Sequence, residues 1–148
     1  MPSATFSESV TIDAAPADVW DRLQDPAIWA TLGPVQKVWD PVIEDGVLQG
    51  FDWSTNIGGK LYEGTGKALD RQRPDRYQLV LDTSEMAGTI TAELSAGNPS
   101  GTEAVVEIEI RSKGLLSSRF FPAIKHAIGS GFPDQVADMG TTISSSVG

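Results

Sequence analysis

Four side chains in this sequence are considered as candidates for moving a proton at a functional site: Glu8, Tyr62, Tyr77 and His126. His126 is the only histidine and the chain has no cysteine, which excludes multi-histidine metal sites, thiolate chemistry and disulfides. Helical spacing around residue 126 places the imidazole on the solvent side of its helix, so we expect no functional role for it. We predict no metal site.

Glu8 is the most interesting carboxylate, because it falls on the apolar side of an alternating stretch, beside Phe6 and Val10. A buried acid at such a position can donate a proton or orient a polar head group. The alternative, which we favour, is that this end of the strand is exposed. Tyr62 and Tyr77 are the other weak catalytic candidates, and their hydroxyls could instead orient the polar end of a ligand.

Motifs for nucleotide, metal or serine chemistry are missing from the sequence, so we predict no cofactor. The only G-x-G strings are Gly64-Thr65-Gly66 and Gly129-Ser130-Gly131. Neither opens a helix after a strand in a βαβ unit, so neither is expected to hold a pyrophosphate.

The composition is that of a folded globular chain: 148 residues, 40% hydrophobic and 21% charged. We expect one domain, residues 1–148. The net charge of −9 disfavours nucleic acid and anionic membranes as partners. Acidic residues interrupt the N-terminus and no apolar run approaches the ~20 residues that span a bilayer, so we expect no membrane insertion and a cytoplasmic location.

Alternation and turn residues predict the elements that would position these side chains. Residues 5–12 alternate as a half-buried strand, and short helices are expected from Pro16 and, after the cap Asp25, from Pro26. Six strands in a meander follow between about residues 35 and 112. They are separated by turn chemistry such as Glu44-Asp45-Gly46 and Met86-Ala87-Gly88.

From residue 120 the period becomes helical and predicts one long amphipathic helix, with glycines and Pro133 that should bend or break it near residue 130. A seven-stranded antiparallel sheet with one apolar face needs this helix as its cover. The fold class is therefore α+β, a curved sheet wrapped around a C-terminal helix. Glycines within the strand pattern, Gly64 and Gly66, would help the sheet to bend.

A curved sheet cannot touch one helix along its entire inner face, and the remaining gap would form a pocket. Each residue on this face could equally be simple core packing. The predicted ligand-binding residues are Phe51, Trp53, Tyr62, Tyr77, Leu79, Leu81, Ile90, Phe121, Ile124, Ile128 and Phe132.

The order of elements resembles the START-like superfamily, or SRPBCC group, which includes polyketide cyclases/dehydrases and lipid-transport proteins. The stretch VTIDAAPADVWDRLQDPAIW resembles the first strand and helix of that group. The stretches KLYEGTGKALDRQRPDRYQLVLD and GLLSSRFF are similar to the branch of the group that is named for carbon monoxide dehydrogenase. The resemblance implies a helix-grip fold and the binding of hydrophobic ligands, and it carries no catalytic set across to this chain.

Three functional hypotheses follow. The first is the binding, with or without transport, of a small hydrophobic molecule such as a lipid, fatty acid or polyketide. The second is a cyclase or dehydratase that uses the same pocket and moves a proton with Glu8, Tyr62 or Tyr77. The third is a protein-interaction module with an unknown protein partner, for which Trp39 and Phe132 are the candidate surface residues.

Overall fold

The computed structural model describes residues 3–30, 32, 35–57, 59–72, 75–97, 101–113, 119 and 121–147. The elements, in chain order, are β1 (Ser3–Ile12), α1 (Pro16–Arg22), α2 (Pro26–Trp29), β2 (Lys37–Glu44), β3 (Val47–Ile57), β4 (Lys60–Gln72), β5 (Arg76–Thr83), β6 (Met86–Ala96), β7 (Thr102–Ser112), α3 (Phe121–Gly129) and α4 (Phe132–Val147).

The strands form one antiparallel sheet of seven strands in the order β1-β7-β6-β5-β4-β3-β2. The meander from β2 to β7 follows chain order because tight turns join neighbouring strands, as between β2 and β3, where Asp45 (φ 52°) and Gly46 (φ 76°) form the loop. The first strand then pairs with the last. This arrangement confirms the predicted helix-grip fold with two short helices after β1.

The sheet bends where glycines let neighbouring backbones approach. A Cβ on Gly64 would lie 1.9 Å from the carbonyl oxygen of Asp82, and one on Gly88 would lie 2.4 Å from that of Glu109. Only glycine fits such positions without moving a strand. The described strands therefore coil around the helices, and the side that faces them is called the inner face below.

An extra residue in β3 changes which side chains face inward. Val42 pairs with Gly50 while its neighbour Ile43 pairs with Leu48, which is a β-bulge. Because of this shift, both Leu48 and Phe51 are buried, although strict alternation would place them on opposite faces.

The long C-terminal helix is present as two consecutive segments, with the break at residues 130–131 as the glycines predicted. Pro133 falls in the first turn of α4, where a proline removes no helical hydrogen bond. The two segments run along β1. A Cβ on Gly129 would lie 2.5 Å from the Phe6 ring, and a Cβ on Gly140 would lie 2.6 Å from the side chain of Val10. These glycines let the helix lie close against the strand.

Candidate ligand pocket

All of the predicted pocket residues lie in the core, with exposed fractions of 8% or less. They are Phe51, Trp53, Tyr62, Tyr77, Leu79, Leu81, Ile90, Phe121, Ile124, Ile128 and Phe132. Burial alone does not distinguish a ligand-binding side chain from one that only packs the core. Their roles therefore depend on the space between them.

One row of paired residues crosses the inner face and has little side-chain volume. Phe51 pairs with Gly66, which pairs with Leu81, and Leu81 pairs with Gly88. The ring of Phe51 leans over Gly66, since a Cβ there would be 3.1 Å from its Cε1 atom. In the neighbouring row, Trp53 pairs with Gly64. We call this region, which contains Gly64, Gly66 and Gly88, the glycine end.

A small cavity of about 20 Å³ lies at the glycine end, between the sheet and α3. Its lining is entirely apolar and consists of Trp53, Leu81, Met86, Ala87, Gly88, Ile110 and Ile128. This volume is about that of one water molecule, whereas ligand pockets usually enclose roughly 300–1,000 Å³. The described part of the core thus leaves a small void at the place where a pocket was predicted.

Three predicted residues line the void: Trp53, Leu81 and Ile128. Met86 and Gly88 were missed because Met86-Ala87-Gly88 has the composition of a turn. That interpretation was wrong, since these residues begin β6 and the chain reverses before them, after Thr83. Ile110 stands on the apolar side of the alternating stretch 104–110, so its inward orientation was readable from the sequence.

The opposite part of the inner face is filled by aromatic rings. Tyr77 is completely buried, with its ring stacked on Trp29 (centroids 5.6 Å apart) and at an edge to Trp20 (5.4 Å). Its hydroxyl donates a hydrogen bond of 2.6 Å to the carbonyl oxygen of Leu48, and Gln24 accepts one of 2.8 Å from the Leu48 amide. We call this region the aromatic end.

The hydroxyl of Tyr77 therefore contributes to the tertiary structure by joining β5 to β3. The indole N–H of Trp29 likewise donates to the carbonyl oxygen of Leu23 at 2.8 Å. Together these bonds fix α1 and α2 over the sheet at its aromatic end.

Tyr62 lies at the edge of the glycine end, next to Thr55 on the neighbouring strand. The ammonium of Lys60 is 5.1 Å from the centroid of the Tyr62 ring and forms a 2.6 Å ion pair with Glu85. The hydrogen bond that Lys60 donates to Glu85 raises the pKa of Lys60 above its ordinary value. Thr55 is 1% exposed, and its hydroxyl oxygen has no hydrogen-bond partner among the described residues.

Glu8 occupies the inner face of β1 opposite Val106, as the alternation predicted, and is half-buried. It does not line the void at the glycine end. His126 is exposed on α3, in agreement with the helical spacing.

Of the two candidate residues for a protein-interaction surface, Trp39 is exposed and Phe132 is buried. Trp39 is 37% exposed on the edge strand β2, beside Val42 and Ile43, each 51% exposed. Phe132 is only 1% exposed and packs 6.3 Å from the ring of Phe6, so it belongs to the core.

Within the described ranges, no three acidic or imidazole side chains converge as metal ligands would, and no helix has the length and hydropathy to cross a bilayer.

The comparison with protein families places this fold in a known group. Residues 3–139 match the model described as polyketide cyclase / dehydrase and lipid transport. The chain belongs to this family. No curated protein matches it in sequence. The family match does not distinguish the carbon monoxide dehydrogenase branch, so that closer placement stays a prediction.

Several solved structures are similar to this chain over most or almost all of its length. A conserved protein from Geobacillus kaustophilus is 15% identical, with 97% of each chain covered and a TM-score of 0.65. A START superfamily protein from Mycobacterium smegmatis is 11% identical, with 88% of this chain and 97% of that chain covered and a TM-score of 0.59. Truncated norcoclaurine synthase from Thalictrum flavum is 16% identical, with 99% and 94% covered and a TM-score of 0.63. At these identities the likeness shows the fold.

Proposed function

We propose that this protein binds a small hydrophobic molecule between the sheet and α3, at the glycine end. The observation that carries the proposal is the all-apolar void bounded by Trp53, Leu81 and Ile128. An apolar lining excludes water and favours an apolar ligand through the area that binding buries. Membership of a family described by polyketide chemistry and lipid transport supports the same class of ligand.

Binding requires the void to expand, and α3 is the element that can move. Ile128 of α3 closes the void, and the helix is interrupted directly after Gly129. Within the break, a Cβ on Gly131 would have no heavy atom nearer than 3.6 Å, so Gly131 itself is not tightly packed. A ligand that buries about 200 Å² of apolar surface gains roughly 5 kcal/mol, which can offset a modest displacement of one short helix.

The positions of the candidate proton-moving groups favour a binding protein over a cyclase. Glu8, Tyr62 and Tyr77 are all outside the lining of the void. The hydroxyl of Tyr77 already donates to Leu48. A general acid or base must come within hydrogen-bond reach of the reacting atoms, and this arrangement provides no such group at the apolar centre.

Titration with the uncharged fluorescent probe N-phenyl-1-naphthylamine tests the proposal. We expect saturable, one-to-one binding to the wild type and binding at least about tenfold weaker to Ile128→Phe, since the larger ring occupies the void. Val105→Phe is the matched control, because Val105 is 40% exposed on the outer face. Far-UV circular dichroism confirms that each variant is folded. A folded wild type that takes up no probe would contradict the proposal.

Native mass spectrometry of freshly purified protein, followed by organic extraction, then separates carrier from enzyme. A carrier is expected to release a molecule of the same mass before and after incubation at room temperature. A ligand that is converted during incubation identifies an enzyme instead, and substitution of Glu8 by Gln or Tyr62 by Phe would then show whether either group takes part.

A further inference from the structure

A buried hydroxyl at the glycine end has no partner in the closed protein. Thr55 is 1% exposed, and its Oγ1 is the one buried side-chain oxygen without a hydrogen bond among the residues that the structure describes. An unpaired hydroxyl in the core costs free energy, so folded proteins usually satisfy such groups. The Thr55 hydroxyl is therefore free to donate or accept a hydrogen bond.

The position of Thr55 connects it with the proposed pocket. Thr55 follows Trp53 by two residues on the same face of β3, so it lies one step, about 7 Å, along the strand from the lining of the void. Tyr62 is its paired neighbour on β4 and is 8% exposed. The indole N–H of Trp53 is already bonded to the carbonyl oxygen of Thr65, at 2.9 Å.

Tyr62, the residue paired with Thr55 on β4, carries a second hydroxyl. Its side chain forms no hydrogen bond within the part of the chain that the structure describes, and the Lys60 ammonium lies over its ring. We call Thr55 and Tyr62 the hydroxyl pair. A hydroxyl both donates and accepts, so the pair can bind a carbonyl oxygen or another hydroxyl.

The charges around the hydroxyl pair favour an uncharged group. Lys60 is paired with Glu85 at 2.6 Å, and Lys113, at the same end of the sheet, is paired with Asp82 at 2.7 Å. Each ammonium is thus balanced by a carboxylate and leaves little attraction for a carboxylate of a ligand. The net charge of −9 adds a field that repels anions.

We propose that the hydroxyl pair binds a neutral hydroxyl or carbonyl group at one end of an otherwise apolar ligand. The inference rests on the proposed function, and it narrows the ligand class to uncharged molecules such as alcohols, phenols and ketones. It disfavours free fatty acids, because the ammonium groups of Lys60 and Lys113 are already paired with carboxylates.

Three ligands with the same ring system test this preference: naphthalene, 2-naphthol and 2-naphthoate. Each is measured by displacement of N-phenyl-1-naphthylamine. The wild type is expected to bind 2-naphthol about five- to tenfold more tightly than naphthalene, as one added hydrogen bond implies, and 2-naphthoate more weakly than 2-naphthol. In Thr55→Val the preference for 2-naphthol should fall to about twofold or less, while naphthalene affinity is kept.

Two further variants complete the test. Tyr62→Phe should also reduce the preference for 2-naphthol. Thr91→Val is the control, because the Thr91 hydroxyl accepts a 2.9 Å hydrogen bond from Gln78 away from the pocket, and the wild-type preference should remain. The hydroxyl pair is not the binding site if naphthalene binds but 2-naphthol binds no more tightly. The same conclusion follows if Thr55→Val and Tyr62→Phe keep the full preference for 2-naphthol. In both cases the proposed apolar pocket still stands. If none of the ligands or the probe binds the folded wild type, both proposals fail.

Discussion

The aromatic end and the glycine end share one inner face and differ in how completely they are filled. At the aromatic end, the rings of Tyr77, Trp20 and Trp29 are in contact, and the Tyr77 hydroxyl bonds to Leu48. At the glycine end, an apolar void remains and the hydroxyl of Thr55 has no partner. The aromatic end of the core is therefore more completely packed and hydrogen-bonded than the glycine end.

The two ends also differ in the elements that cover them. The aromatic end is covered by α1 and α2, which side-chain hydrogen bonds from Gln24 and Trp29 fix to the backbone. The cavity at the glycine end is covered by α3, through Ile128, and this helix ends at a break. A stable framework with one less well-packed region is what a ligand-binding core requires.

The largest expected effect is a loss of unfolding free energy when the aromatic end is disrupted. Trp29→Ala removes a fully buried ring that stacks on Tyr77, so it should lower the free energy of unfolding by about 3–5 kcal/mol. Urea denaturation followed by circular dichroism measures this loss. The folded fraction should still bind N-phenyl-1-naphthylamine with nearly the affinity of the wild type. A loss below about 1 kcal/mol would show that the aromatic end is not the stabilising one.

A second prediction concerns the bend at the glycine end. Gly64→Ala puts a Cβ 1.9 Å from the carbonyl oxygen of Asp82, so β4 and β5 must shift, at a loss of about 1–3 kcal/mol. Gly131→Ala is the matched control, because its Cβ would meet no heavy atom nearer than 3.6 Å, and its stability should stay close to that of the wild type. Equal urea midpoints for the two variants would contradict the close approach of these strands.

Removal of single hydroxyls should have opposite effects at the two ends. Tyr77→Phe leaves the carbonyl of Leu48 without its donor, and we expect a loss of about 1–2 kcal/mol. Thr55→Val removes a hydroxyl that has no partner, so the ligand-free protein should gain up to about 1 kcal/mol. Paired urea titrations measure both changes. Destabilisation by Thr55→Val would show that its hydroxyl is satisfied in the free protein.

The smallest expected effect is the pH dependence of the Lys60–Glu85 pair beside the hydroxyl pair. The pKa of Lys60 is raised above 10.5 in the folded protein by its hydrogen bond to Glu85. The contribution of the pair to stability is therefore present below pH 10.5 and is lost as the pH rises through the raised pKa. Because Lys60 is exposed, this contribution is small. An NMR titration should show a lower pKa for Lys60 in Glu85→Gln, and an unchanged value would refute the pairing.

Much of the fold was predictable because alternation and turn chemistry are local. They identified β1, the six strands of the meander and the break in the C-terminal helix, and Asp25 was read correctly as the cap of α2, where its side chain accepts from the Ala27 amide at 3.0 Å. The fold prediction failed in detail where the pairing with a neighbouring strand determines which face of the sheet a side chain occupies. The bulge opposite Val42 turns both Leu48 and Phe51 inward, which strict alternation does not anticipate.

The candidate site was predictable only in part, because a cavity depends on volumes contributed by several strands. The alternation placed Trp53 and Leu81 on the inner face, and both line the void. It could not show that Gly88 belongs with them, because Met86-Ala87-Gly88 has the composition of a turn. Nor could it single out Thr55, whose importance lies in the absence of a partner in the folded protein. Whether the predicted residues bind a ligand stays a prediction.

A methyl NMR titration of the wild type with 2-naphthol reports on both ends of the inner face at once. If the ligand binds at the glycine end, the methyl groups of Ile128, Ile110 and Met86 should show saturable shifts, while those of Leu23 and Ile28 near the aromatic end stay unchanged. A spectrum without saturable shifts, or with the largest shifts at the aromatic end, would contradict binding at the glycine end.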